Sequence, residues 1–96
     1  MSLQEVIEIL KKFREDNGSR FPMEKLGVFG SFARNAADEG SDLDIVVVLP
    51  RQDLFEIIGI KQTLEDTFQR HVDIVSYREK MNPFLKKKID SEAVYV

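Results

Sequence analysis

The chain has 96 residues, a length that fits one domain and excludes two. Apolar residues make up 43% of it and charged residues 32%, which predicts a globular fold with a hydrophobic core rather than a disordered chain. A domain of this size is only modestly stable, so a partner or a second copy of the chain can add to its stability.

The charge balance and the missing residue types exclude several functions. Fourteen basic residues against 17 acidic ones give a net charge of -3, the wrong sign for a domain that binds nucleic-acid backbone. The chain has no cysteine, which excludes disulfides and thiolate chemistry, and its single histidine excludes a multi-histidine zinc site. No apolar stretch is long enough to cross a membrane and the first residues lack a basic signal segment, so we expect no membrane contact and a cytoplasmic location.

The first third of the chain contains three predicted elements. Apolar residues at helical spacing predict a helix over 3–16, with Ser2 and Glu5 as a capping box. A short apolar run over 25–29 predicts a buried strand that ends at a glycine. A serine followed by good helix formers then predicts a short helix over 31–37.

The rest of the chain alternates strands and helices. The β-branched run over 42–49 is the clearest strand, and the apolar pattern over 54–69 predicts a helix that follows it. A third strand over 72–75, a last helix over 83–90 and a closing strand over 93–96 complete the order.

These elements predict an α/β (α+β) fold in a single domain, residues 1–96, with a small mixed sheet and helices packed against it. No internal repeat, low-complexity segment or linker divides the chain. The helix over 54–69 is apolar on more than one side, and we assign Phe55, Ile57 and Ile58 to the core, with an interface as the alternative.

Three aspartates in apolar strands are the first candidates for chemistry. Asp42 and Asp44 are two residues apart, so a strand places both carboxylates on one face, where a divalent cation would relieve their repulsion. Asp73 joins them if its strand lies alongside. An all-oxygen set favours Mg²⁺ or Mn²⁺ over Zn²⁺. The alternatives are a solvated strand edge for the first pair, and an ion pair with Arg70 or Arg78 for Asp73.

A glycine-serine pair supplies a candidate anion site. Gly30 ends a predicted strand and Ser31 follows it, so backbone N–H groups and the Ser31 hydroxyl can hold a phosphate there. Such pairs are common, and alone this one is a weak signal. An anion site beside a metal site is, however, what phosphoryl or nucleotidyl transfer requires.

The two motifs are separated by ten residues, in the order Gly30-Ser31 and then Asp42-Leu43-Asp44. This G-S-x10-D-x-D pattern resembles the signature of the DNA polymerase beta-like nucleotidyltransferase superfamily. Arg34 and the strand over 72–75 are similar to its small prokaryotic branch, the minimal nucleotidyltransferases, and the resemblance covers essentially the whole chain. Asn35 departs from the family pattern, where glycine often follows the arginine.

The resemblance implies a role for each matching residue. Gly30 and Ser31 would hold the β- and γ-phosphates of a nucleoside triphosphate, and Asp42 and Asp44 would bind two Mg²⁺ ions, or Mn²⁺ in their place. Asp73 would complete the metal site and help to deprotonate the attacking hydroxyl.

Other polar residues have open assignments. Arg34 either contacts phosphate or pairs with a carboxylate such as Asp38. His71 lies two residues before the third aspartate, but a lone histidine is more often a surface residue. The lysines 86–88 are interpreted as the solvated face of the last helix.

The family also implies a partner. Minimal nucleotidyltransferases pair with HEPN-domain toxins, and the antitoxin of such a pair transfers AMP from ATP to a tyrosine of the toxin. We expect that function here, since the chain has no room for an acceptor-binding domain. The alternatives are an antitoxin that neutralises its partner by binding alone, and nucleotidylation of a small-molecule hydroxyl.

Overall fold

The polypeptide forms three helices and four strands in a computed structural model that describes Met1–Val96. In chain order these elements are α1 Leu3–Asn17, β1 Lys25–Phe29, β2 Leu43–Val48, α2 Leu54–Phe68, β3 Val72–Ser76, α3 Pro83–Glu92 and β4 Val94–Tyr95. The α+β class is confirmed. None of the helices combines the length and the apolar character needed to cross a membrane.

Each helix begins at a side chain that satisfies its free backbone N–H groups. Ser2 and Glu5 form the predicted capping box on α1, with each side chain bonded to the other residue's backbone N–H. The Asp53 carboxylate caps α2, and Asn82 caps α3 by accepting from two backbone N–H groups. These local signals fix where the helices start.

The strands form one mixed sheet in the order β3-β2-β1-β4. The central strand pair β1 and β2 is antiparallel, β4 is antiparallel to β1, and β3 is parallel to β2. The parallel register places Asp44 directly opposite Asp73, so the third aspartate lies on the strand next to the first two.

The sheet separates two apolar clusters. Side chains from α1 and α2 pack on one face with alternate strand residues, including Leu26, Val28, Leu43 and Ile45. On the other face, Phe29 and Val46 pack against Ile89 of α3. The aspartates follow the same alternation and therefore lie on the α3 side.

The predicted helix over 31–37 is wrong, because this segment forms a single turn. The N–H of Asn35 donates to the Phe32 carbonyl and the N–H of Ala36 donates to the Ser31 carbonyl, which is the pattern that ends a helix. Asn35 has a φ of 59°, in the left-handed region, so the chain reverses after one turn. Asparagine adopts this conformation more readily than most residues that carry a Cβ atom.

The core assignment for the start of α2 is wrong for two residues. Phe55 is 86% exposed and Ile58 is 42% exposed, while Ile57 packs against the main core. The buried positions of α2 are Ile60, Leu64 and Phe68, which recur at helical spacing on the opposite side.

Candidate active site

The three aspartates meet at adjoining ends of β2 and β3. Asp42 precedes β2, Asp44 is its second residue, and Asp73 is the second residue of β3. Leu43 points into the main core, so Asp42 and Asp44 on either side of it point to the opposite face of the sheet. The β2-β3 register then brings Asp73 beside Asp44 on that face.

His71 lies between two of these carboxylates. Its Nδ1 atom is 3.5 Å from Oδ1 of Asp42 and 3.7 Å from Oδ1 of Asp73. One ligand atom from each of these three side chains lies within 4.8 Å of the others, which is a spacing that a single cation can bridge. The donor set of carboxylate oxygens and one imidazole nitrogen fits a divalent metal ion and contains no sulfur ligand.

Neither arginine proposed as an alternative partner neutralises Asp73. Arg70 donates to the Ser41 carbonyl at 2.8 Å, and its guanidinium lies 5.0 Å from the centre of the Phe32 ring. No ion pair joins Arg78 to Asp73 either. Arg70 instead connects the segments that precede β2 and β3.

Asp44 is the most deeply placed of the three. Partial burial raises the pKa of its carboxyl group, and the neighbouring Asp73 raises it further, while Lys88 acts in the opposite direction. The Asp44 carboxylate packs directly on Gly30, where a Cβ atom would overlap with Oδ2. A φ of 74° at Gly30 adds a second reason for glycine at this position. Asp44 is not one of the three side chains whose ligand atoms lie within 4.8 Å of one another, but it lies opposite Asp73 in the sheet. It therefore links that cluster to the anion-site candidate.

The turn after β1 presents backbone donors that the protein itself does not use. The N–H groups of Ser31, Phe32 and Ala33 have no hydrogen-bond acceptor within the chain, and neither does the Ser31 hydroxyl. The next N–H groups, from Arg34 onward, bond back to carbonyls of the same turn. Successive free N–H groups beside a glycine form a concave site that suits a phosphate. We call these free donors and the Ser31 hydroxyl the anion cradle.

Two members of the turn are held by Glu92 at the end of α3. Its carboxylate accepts a hydrogen bond from the Gly30 N–H at 3.1 Å and pairs with Nη1 of Arg34 at 2.9 Å. Arg34 thus has a structural ion pair, although with Glu92 rather than with the predicted Asp38. The Gly30 N–H is used internally, so Gly30 contributes to the cradle through its backbone conformation.

The sequence alone does not predict that Glu92 contacts the turn or that His71 lies between Asp42 and Asp73. Glu92 is 62 residues from Gly30, and nothing near it in the sequence marks it as part of a site. His71 shared the alternation of Asp73, which was a usable signal, but its contact with Asp42 depends on strand order. Of the lysines 86–88, Lys87 and Lys88 are exposed, as expected for a solvated helix face. Lys86 is only 28% exposed and pairs with the exposed Glu79 at 3.3 Å.

A cation site of carboxylates in contact with an anion cradle defines the class of enzymes that transfer phosphoryl or nucleotidyl groups. Comparison with known proteins agrees, since residues 10–96 match the family described as nucleotidyltransferase domain. The chain is 32% identical over 97 residues to protein adenylyltransferase MntA of Thermococcus cleftensis, a match that covers 100% of this chain and 97% of the relative.

Solved structures share the fold. One provisionally described as a minimal nucleotidyltransferase superposes with a TM-score of 0.76 at 32% identity, covering 98% of this chain and 95% of the other. A tri-AMPylated HEPN toxin of Shewanella oneidensis in complex with an MNT antitoxin gives a TM-score of 0.62 at 20% identity, over 97% of this chain and 66% of that one. The chain belongs to the nucleotidyltransferase domain family, and within it to the minimal nucleotidyltransferases related to the MntA adenylyltransferase. The expected enzyme class is therefore confirmed.

Proposed function

We propose that this protein transfers AMP from ATP to a tyrosine hydroxyl of a HEPN toxin and acts as its antitoxin. The observation that carries the proposal is the contact between Asp44 and Gly30, which joins a carboxylate site for divalent metal to a cradle for phosphate. The HEPN toxin in the similar Shewanella oneidensis complex is AMPylated, which supports the choice of acceptor. Since the donor is ATP, the reaction takes place in the cytoplasm.

The anion cradle binds the end of the triphosphate. The β- and γ-phosphates accept hydrogen bonds from the N–H groups of Ser31, Phe32 and Ala33 and from the Ser31 hydroxyl. Arg34 adds positive charge at the rim of the same turn, where its side chain is 47% exposed. This fixes the α-phosphate over the carboxylates and leaves pyrophosphate in the cradle as the leaving group.

Asp42, Asp44 and Asp73 hold the divalent ions, for which we propose two Mg²⁺, with Mn²⁺ as a substitute. When bound by these residues, the ions would neutralise the triphosphate and would lower the pKa of the acceptor hydroxyl. The hydroxyl oxygen forms a bond to the α-phosphorus while the bond to the pyrophosphate oxygen breaks. We assign the acceptance of the hydroxyl proton to Asp73, and its position on the edge strand β3 supports this choice.

The shape of the molecule favours a macromolecular acceptor over a small one. The two surface depressions of the chain are lined mainly by residues of α1 such as Ile9, Lys12 and Asp16. Neither is lined by the site carboxylates. A small hydroxylated substrate would need an enclosing pocket beside the metals. An open site is suited to a tyrosine presented by a partner protein.

The proposal is tested with purified protein, ATP, Mg²⁺ and the HEPN protein encoded beside its gene. Intact-mass spectrometry is expected to show an increase of about 329 Da on the toxin for each AMP transferred. Replacing the toxin tyrosines with phenylalanine should remove the adduct. No adduct with any nucleoside triphosphate would refute the transferase.

Two variants separate catalysis from simple binding. Asp42→Asn combined with Asp44→Asn should abolish the adduct and the protection from the toxin, whereas Asp66→Asn, an exposed carboxylate on α2, should change neither. Full protection by the double variant would make the protein an antitoxin that acts by occlusion.

A further inference from the structure

Glu92 connects the end of α3 to the turn that follows β1. The antiparallel pairing of β1 with β4 places Gly27 opposite Tyr95 and Val28 opposite Val94. Glu92 is the last residue of α3 and lies two residues before Val94, so this pairing holds the end of α3 close to the turn after β1. The strand pairing therefore delivers this carboxylate to the turn, and its side chain is only 20% exposed there.

The contacts of Glu92 involve one side of the turn only. It accepts from the Gly30 N–H, and both of its oxygens lie within 3.0 Å of Nη1 of Arg34. The Arg34 atoms Nη2 and Nε make no hydrogen bond within the chain. Glu92 makes no contact with the free N–H groups of the anion cradle, so it does not occupy the position of the phosphate.

We propose that Glu92 is a positioning residue for ATP, acting by holding the Gly30 turn and the Arg34 guanidinium in the orientation that receives the β- and γ-phosphates. By using Nη1 alone, Glu92 leaves the other guanidinium donors of Arg34 available to the triphosphate. By bonding to the Gly30 N–H, it fixes the residue whose backbone shapes the cradle. This inference rests on the proposed function, because it assigns the cradle to a triphosphate.

The role predicts a specific pattern of ligand affinities. Glu92→Gln keeps the size of the side chain but turns an amide NH2 toward Arg34, so the guanidinium loses its anchor. Affinity for ATP or for AMP-PNP should fall about tenfold, as expected for loss of a charge-assisted contact. Affinity for AMP, which lacks the β- and γ-phosphates, should stay within about twofold. In steady-state assays the KM for ATP should rise while kcat changes little.

The experiment compares titrations of AMP-PNP and AMP, by calorimetry and NMR, in the presence of Mg²⁺. Glu79→Gln is the matched control, since it removes one acidic charge from an exposed side chain that pairs with Lys86. A double variant with Arg34→Gln tests whether Glu92 acts through Arg34. Glu92→Gln should reduce AMP-PNP affinity less in the Arg34→Gln background than in the wild-type chain, because only the contact with the Gly30 N–H is then left to lose. An equal reduction in both backgrounds would contradict a role that acts through Arg34.

Each outcome has a distinct meaning. Equal loss of AMP and AMP-PNP affinity, no loss, or tighter AMP-PNP binding by Glu92→Gln would overturn the positioning role. Unfolding of both Glu92→Gln and Glu92→Asp would also overturn it, since Glu92 would then be structural. A wild-type protein that fails to bind AMP-PNP would instead contradict the proposed function itself.

Discussion

Replacing Gly30 with alanine tests the contact that joins the two halves of the site. The backbone φ of 74° lies in the left-handed region, which costs a residue with a Cβ about 1–2 kcal/mol. The added methyl group would also overlap with Oδ2 of Asp44, so this carboxylate would have to move. Crowding of this kind costs a further ~1–3 kcal/mol. We therefore expect Gly30→Ala to lose about 2–5 kcal/mol of unfolding free energy.

Thermal unfolding followed by circular dichroism measures this loss. For a domain of this size the melting temperature should fall by at least about 8 °C. Gly40→Ala is the control, because a Cβ there meets only Oδ1 of Asp38 at an ordinary 3.6 Å and the backbone is not left-handed. It should melt within about 4 °C of wild type. AMP transfer should fall at least about tenfold in Gly30→Ala and stay unchanged in Gly40→Ala. Equal stability of the two variants would refute this account of Gly30.

Three further predictions concern charge and backbone. Asp44→Asn should abolish activity and stabilise the fold at pH 7 by less than about 1 kcal/mol, because it removes a partly buried charge beside Asp73. Because the folded-state pKa of Asp44 is raised, the stability gained by the variant in urea unfolding should grow as pH rises through that pKa and vanish below about pH 4. A gain that does not change with pH would contradict an origin in the Asp44 charge. Asn35→Gly should be close to wild type in thermal unfolding. Asn35→Val should lose about 1–2 kcal/mol of unfolding free energy, because a φ of 59° disfavours a β-branched residue. Equal stability of the two variants would show that the turn tolerates any residue. The Tyr77 hydroxyl donates to Asp90 at 2.8 Å, which raises the pKa of Tyr77 to about 12. Ultraviolet titration should therefore show this tyrosine neutral at pH 11, and ionising at lower pH in Asp90→Asn. An unchanged titration in the variant would exclude Asp90 as the cause.

Much of the fold could be predicted because local signals fix it. The capping box at Ser2 and the cap at Asn82 set helix starts, and the β-branched run of β2 identifies the central strand. The short helix was mispredicted since alanine-rich composition favours helix, while the left-handed Asn35 ends it after one turn. The exposure of Phe55 was mispredicted because helix burial depends on how α2 sits against the sheet, which its composition does not specify.

Part of the candidate site likewise follows from sequence spacing, and part depends on the tertiary structure. Alternation along a strand places Asp42 and Asp44 on one face, and this follows from sequence spacing alone. The approach of Asp73 depends on β3 being the parallel neighbour of β2, which spacing does not determine. Glu92 reaches the turn because β4 pairs with β1 and α3 packs on the same sheet, so this contact over 62 positions could not be predicted from the sequence.

The central claim is that one site holds divalent metal and triphosphate together. A crystal structure of the protein grown with Mn²⁺ and AMP-PNP, with anomalous scattering recorded for manganese, tests it most directly. The account predicts manganese peaks bound by Asp42, Asp44 and Asp73, with the terminal phosphates against the backbone N–H groups of residues 31–33. Manganese bound elsewhere, or a triphosphate lying away from that turn, would contradict it.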